Sequence, residues 1–237
     1  MRDRFQWRYS RRRGGASELH ADSASLLDWH ADAPPLKREL RVLEAVRPAV
    51  VLASTQADSC VDAARAAAAG VELSRRRSGG GAVLVGPGEV LWVDVVVPRG
   101  DPLWCDDISL SGLWLGQAWK GALGDAGFAG ARVHSAALIH SEWSRLACFA
   151  GLAPGEVTFD GRKVVGISQR RTRRGALFQC AMLLRWEPAR LLGVMALGEA
   201  TRAAGVAALE SRAGGLGQQA AGPVLEALVT RLKDCPA

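Results

Sequence analysis

The chain has 237 residues, 49% hydrophobic and 23% charged, and 30 Lys and Arg against 24 Asp and Glu give a formal charge of +6. That length supports one substantial core, and no apolar run reaches the roughly eighteen residues that a membrane-spanning helix needs. Five scattered cysteines without a CxxC pair argue against a disulfide framework and a structural zinc site; the basic start lacks an apolar leader, so a cytoplasmic protein is expected.

Residues 1–25 mix arginine, glycine, serine and alanine without periodicity and read as a mobile basic arm ahead of a single domain over 26–237. Ser25 to Ala33 predicts a short helix stopped by Pro34 and Pro35, and a charged segment follows. The β-branched run after Pro48 predicts the first core strand, and alanine-rich Asp58 to Ala69, ending at Gly70, predicts a helix. RRRSGGGAV, Arg75 to Val83, sets arginines and a serine before consecutive glycines. This is the composition of an anion-cradling loop, because glycine tolerates positive φ and lets backbone approach a ligand closely. Ala82 to Pro98 reads as two antiparallel strands joined at Gly86-Pro87-Gly88, the second central, with Asp94 held by a hydrogen bond or a cation.

Leu110, Leu113, Trp114, Ala118, Trp119 and Leu123 recur at helical spacing within Asp106 to Phe128, which predicts an amphipathic helix with its tryptophans in the core. Strands are expected over Arg132 to His140, Val157 to Phe159, Arg162 to Ser168 after a turn at Asp160-Gly161, and Leu177 to Trp186. From about residue 187 the chain reads as helices. Strands and helices interspersed without regular βαβ alternation predict an α+β fold, with a mixed, largely antiparallel sheet flanked by helices.

DGRKVVGISQRR, Asp160 to Arg171, places Lys163 among glycines and apolar residues, where desolvation tunes its charge. Neither GxGxxG nor the phosphate-loop pattern is present. Basic clusters at Arg11 to Arg13, Arg75 to Arg77 and Arg170 to Arg174 suit acidic carrier domains and phosphates. Without a helix-turn-helix pattern or an aromatic platform, nucleic acid is not the partner expected.

RRRSGGGAV, followed by GRKVVGISQRR and GALFQCAMLL, resembles the lipoate-protein ligase and octanoyltransferase family, related in fold to biotin-protein ligases and class II aminoacyl-tRNA synthetases. The likeness runs from about Pro48 to Leu184. It implies that Arg76, Arg77, Ser78, Gly79, Gly80, Gly81 and Ala82 line a slot for a medium-length acyl chain, with Gly166 and Gln169 also at the substrate. Lys163 would contact the acyl carbonyl or a phosphate. Cys148, followed by Phe149 and 15 positions before Lys163, matches the nucleophile of the transferase branch, its thiol pKa lowered by the lysine.

The resemblance therefore implies transfer of an octanoyl or lipoyl group from acyl carrier protein to a lysine of a lipoyl domain through Cys148, with no cofactor and no metal. The alternatives are a ligase using ATP and Mg2+ with an accessory subunit, and a degenerate carrier- or acyl-binding protein. A cysteine hydrolase pairing Cys148 with His140 or His134 is a further class. The chain departs from the family in carrying LVGPGE, Leu84 to Glu89, in place of a His-Asp-x-Gly-Asn segment. Gln179-Cys180-Ala181 stands for Gln-His-Gly, and Ile167-Ser168 for Ser-Ala. Such loss of polar groups favours ATP-independent chemistry or a degenerate member.

Overall fold

The computed structural model describes residues 6–28 and 35–235. VLWVDVVVP, in which Asp94 is the sole charge, forms β6 (Val90–Pro98) at the centre of a seven-stranded sheet. A strand covered on both faces requires apolar side chains on both, and its valines suit the pleat. On either side lie β2 (Glu39–Ala45) and β10 (Gly175–Leu183), both antiparallel to it. Beyond β2 is β1 (Arg8–Gly14), parallel to its neighbour. Beyond β10 follow β9 (Arg162–Arg171), β8 (Val157–Phe159) and β7 (Arg132–Val133), each antiparallel to the last. A smaller sheet has the order β4 (Glu72–Arg75), β3 (Ala49–Leu52), β5 (Val83–Val85).

Helices α3 (Leu113–Asp125) and α6 (Ala221–Lys233) cover one face of the large sheet, where Trp119, Leu123, Val224 and Leu228 pack with Val93, Val95, Phe178 and Met182. The other face carries the small sheet and α1 (Ala16–Ser25): Leu19, Val51, Val83 and Val85 cluster with Trp92, Phe149 and Leu183. Alternation along β10 thus sends Phe178 and Met182 to the helices and Gln179 and Ala181 toward the small sheet. On the small sheet's other side, α4 (Pro188–Gly193) and α5 (Glu199–Glu210) supply Leu191, Leu192 and Leu209 around Val50 and Leu52. The mixed, largely antiparallel sheet flanked by helices is the architecture expected.

Several local expectations need correction. Residues 8–25, read as a mobile arm, are part of the fold: β1 runs beside β2 from Arg8–Glu39 to Gly14–Ala45, and Ala16, Leu19, His20, Ser23 and Ala24 of α1 are buried. The arginines of β1 occupy a solvated edge, where charge is tolerated and hides the strand from a hydrophobic pattern. Of the helix expected over Ser25 to Ala33, residues 26–28 are not helical, and residues 29–34 fall outside the described residues. Asp58 to Ala69 divides into a short 3-10 turn and α2 (Ala63–Ala68), whose N-cap Asp62 accepts from the Arg65 amide. The strands around Gly86-Pro87-Gly88 do not pair: β5 bonds to β3 and β6 to β2 and β10, so that turn carries the chain from one sheet to the other. Of the strand expected over Arg132 to His140 only Arg132–Val133 forms.

The β8–β9 hairpin turns at Asp160 and Gly161, both with positive φ (50° and 74°), which is type I′ geometry. Val157 then pairs with Val165 but Thr158 with Lys163, leaving Val164 as an extra residue on β9. This bulge resets the inside-outside alternation. Val164 and Val165 both enter the helix-side core, and Lys163 joins Gly166 and Ser168 on the face toward the small sheet.

Candidate active site

The glycine loop is held from within by Arg76. Its guanidinium is buried and donates to the carbonyls of Gly79 (2.9 Å) and Gly81 (2.8 Å), while its Nε–H has no partner among the described residues. Gly81 is required by close approach: a Cβ there would meet the Ala147 and Cys148 backbone at 2.5–2.8 Å. Reciprocal bonds, Ala82 N to Leu146 O and Cys148 N to Ala82 O at 2.8 Å each, dock the loop onto the segment bearing Cys148. The loop is thereby fixed against the thiol.

Lys163 is not an exposed turn residue. It is 3% exposed, and its Nζ bonds the carbonyls of Cys148 (2.9 Å) and Gly151 (3.1 Å) and the Oε2 of Glu156 (2.6 Å). Those partners engage all three ammonium protons. The side chain also packs over Phe149, with Nζ 5.0 Å from the ring centroid. Lys163 therefore holds the backbone of Cys148. Arg76 interacts electrostatically with Cys148, and burial pulls its guanidinium below the ordinary value.

Cys148 lies where two cavities meet. An inner slot of about 40 Å³ runs between the sheets, walled by Val83, Val85, Trp92, Phe149 and Ala181, with His20, Arg76 and Gln179 as polar lining. An outer cavity of about 420 Å³ is lined by Gly79, Gly80, Gly81, Leu138, Lys163 and Gln169, among others. Cys148 and Ser168 border both. Cys148 is thus a wall residue of both the larger cavity and the narrower one.

The predicted residues are not all assembled here. Arg77 points away, exposed, to Asp28 (3.1 Å). Ser78 acts behind the wall, donating to Gln179 Oε1 (2.9 Å) and sharing a hydrogen bond with Ser168 Oγ (3.0 Å). Gln169 lines the outer cavity while bonded to the Ile108 carbonyl (2.8 Å) and the Ser111 hydroxyl (2.9 Å). Gly166 keeps the slot open, since a Cβ would lie 3.3 Å from the Phe149 ring. His134 bonds the Ala137 carbonyl (2.9 Å), whereas His140 lines the outer cavity.

His20 went unnoticed in the sequence because it lay in the supposed arm. It stacks on Trp92 at 4.4 Å and accepts at Nδ1 from Gln179 Nε2 (3.1 Å). Burial, and secondarily the Arg76 charge, lower its pKa to about 3, so the ring is neutral. Nearby Asp94 is fully buried and accepts from the Trp92 indole (2.8 Å); burial raises its pKa to about 6, opposed by the polar groups of Ser23, Trp92 and Gln179 around it. The hydrogen-bond reading of Asp94 holds at that oxygen. Burial pushes the thiol of Cys180 up, which makes it a packing residue.

Glu156 is the carboxylate on the outer cavity, and its oxygens already take the amides of Ala153 (2.7 Å) and Ile167 (3.1 Å) as well as Lys163. Among the described residues no group of three or more His, Cys, Asp or Glu could hold a metal. Glu89, at the end of LVGPGE, is buried in ion pairs with Arg185 and Arg190.

No helix among the described residues is long and apolar enough to cross a membrane. No curated protein matches the sequence significantly. Among solved structures, a bi-partite lipoate protein ligase from Thermoplasma acidophilum, studied with its E2 lipoyl domain, superposes with a TM-score of 0.74 at 19% identity, over 97% of this chain and 83% of that one. A lipoate-protein ligase A bound with ATP gives 0.69 at 19% identity, over 97% and 85%. A putative lipoate protein ligase from T. acidophilum with bound lipoic acid gives 0.68 at 19% identity, over 97% and 84%. These likenesses establish the fold. The profile of the lipoyl protein ligase A/B catalytic domain matches residues 21–234, and the chain belongs to that family.

Proposed function

We propose that this protein moves an octanoyl or lipoyl group from the thioester of an acyl carrier protein to a lysine of a lipoyl domain, through an acyl-enzyme on Cys148. The observation that carries the reading is the place of Cys148 at the junction of slot and outer cavity, beside a buried Arg76 that no carboxylate neutralises among the described residues. A buried cation stabilises a thiolate, which is the nucleophilic form.

In the first step the Cys148 thiolate attacks the thioester carbonyl carbon. A new carbon–sulfur bond forms, and the carrier's thiolate departs and takes up a proton. In the second step the neutral amine of the lipoyl-domain lysine attacks the same carbon, an amide bond forms, Cys148 leaves as thiolate and the amine's proton passes to solvent. Lys163 fixes the turn that carries the thiol, through the carbonyls of Cys148 and Gly151. The slot, at about 40 Å³, must widen to take a whole eight-carbon chain. No ATP enters this route.

The test is to incubate the protein with octanoyl carrier protein and a lipoyl domain without ATP and weigh the domain. Gain of an octanoyl group supports the proposal. Modification only with free acid, ATP and magnesium would make the protein a ligase. Carrier binding without modification under either condition would make it a binding module.

A further inference from the structure

The inner slot is not an alkyl slot throughout. Two of its lining residues carry N–H groups that nothing among the described residues satisfies: Nε of Arg76, a residue 3% exposed, and Nε2 of His20, a residue 7% exposed. The tautomer of His20 follows from its neighbours. Ser78 donates to Oε1 of Gln179, and the amide nitrogen of Gln179, placed between Asp94 and the imidazole, donates to Nδ1. A neutral ring accepting at Nδ1 carries its hydrogen on Nε2.

Both donors line the slot together with Cys148. His20 stacks on Trp92, whose other side walls a separate groove with Leu91 and Leu225. Trp92 is therefore the blind end, and Cys148 and Ser168, shared with the outer cavity, are the mouth. An acyl chain entering at the mouth brings its last atoms to His20.

Building on the acyl-transfer reading, we propose that His20 is a specificity residue, selecting medium-chain acyl groups that carry an oxygen or sulfur acceptor at the far end. A saturated alkyl tip leaves the imidazole N–H unpaired against carbon, and buried polar groups left unpaired are the strongest source of discrimination a pocket has. An acceptor at the tip satisfies it. The apolar walls, Val83, Val85, Phe149 and Ala181, take the methylenes between.

The experiment is calorimetric titration of the full chain with octanoic acid, 8-hydroxyoctanoic acid and lipoic acid, using wild type, His20→Phe and His20→Gln. Phenylalanine keeps the stack on Trp92 without the N–H; glutamine keeps a donor. Wild type is expected to bind the two acceptor-bearing acids about tenfold more tightly than octanoic acid, one hydrogen bond's worth. His20→Phe should abolish or reverse that ratio and His20→Gln should retain much of it, all three proteins showing cooperative thermal unfolding. Equal binding of the three acids by wild type, or a ratio untouched in His20→Phe, overturns the specificity role and leaves acyl transfer standing. No binding of any acid, together with no transfer from the octanoyl carrier, overturns both.

Discussion

Lys163 Nζ lies 2.6 Å from Glu156 Oε2, with the two side chains 4% and 5% exposed, so the lysine of the second motif enters the site already paired. Removing one partner of a buried pair leaves an uncompensated charge, which costs about 3–5 kcal/mol, whereas replacing both with apolar residues of similar size comes near neutral. Glu156→Ala is therefore expected to lower stability by that amount in urea denaturation. Lys163→Met combined with Glu156→Leu should recover only part of the loss, because the amides of Ala153 and Ile167 still lose their acceptor. Acyl transfer should fall in all of these variants, because Lys163 also holds the carbonyl of Cys148.

Two glycines of one loop should behave oppositely. A Cβ on Gly81 meets the Ala147 and Cys148 backbone at 2.5–2.8 Å, while one on Gly79 finds nothing within 4 Å. Gly81→Ala should destabilise by about 1–3 kcal/mol, the ordinary penalty for overpacking, and displace Cys148. Gly79→Ala should stay within about 0.5 kcal/mol of wild type. Equal melting temperatures for the two variants would show that the loop does not dock on the cysteine segment.

His20 and Asp94 give stability opposing pH dependences. The His20 pKa falls from 6.5 to about 3 on folding, so its contribution to stability rises from pH 3 to 6.5 and is lost as pH falls. The Asp94 pKa rises from 3.8 to about 6, so its contribution is greatest in acid and is lost as pH climbs to 6. Between about pH 4 and 6 the slopes oppose, each near 1.4 kcal/mol per pH unit. Relative to wild type, Asp94→Asn should gain stability with rising pH in that window and His20→Phe should lose it. Denaturation at pH 4, 5 and 6 checks this, and curves parallel to wild type for both variants would contradict it.

Much of this site was legible in the sequence because glycine and charge are local signals. Consecutive glycines after arginines located the loop, and Asp160-Gly161 located the hairpin that presents Lys163. The neighbours of those residues were not legible. Only the register of β8 on β9 reveals the bulge at Val164 that turns Lys163 toward Glu156. His20 stayed hidden because a solvated edge strand and a short helix lack the periodicity that marks core elements; their burial comes from docking on Leu43, Trp92 and the small sheet. Arg77 shows the converse. It matches the motif by position, yet it points outward to Asp28, because neighbouring positions along extended backbone alternate in direction and Arg76 takes the interior.

Covalent transfer requires the thiol of Cys148, and the most direct measurement is the intact mass of the protein after brief reaction with octanoyl carrier protein, quenched in acid. One octanoyl group is expected, mapped to Cys148, removed by hydroxylamine, absent in Cys148→Ser, and passed to a lipoyl domain added before the quench without ATP. An unmodified enzyme that nonetheless transfers the group, or a Cys148→Ser variant that transfers it at the wild-type rate, would contradict the covalent route.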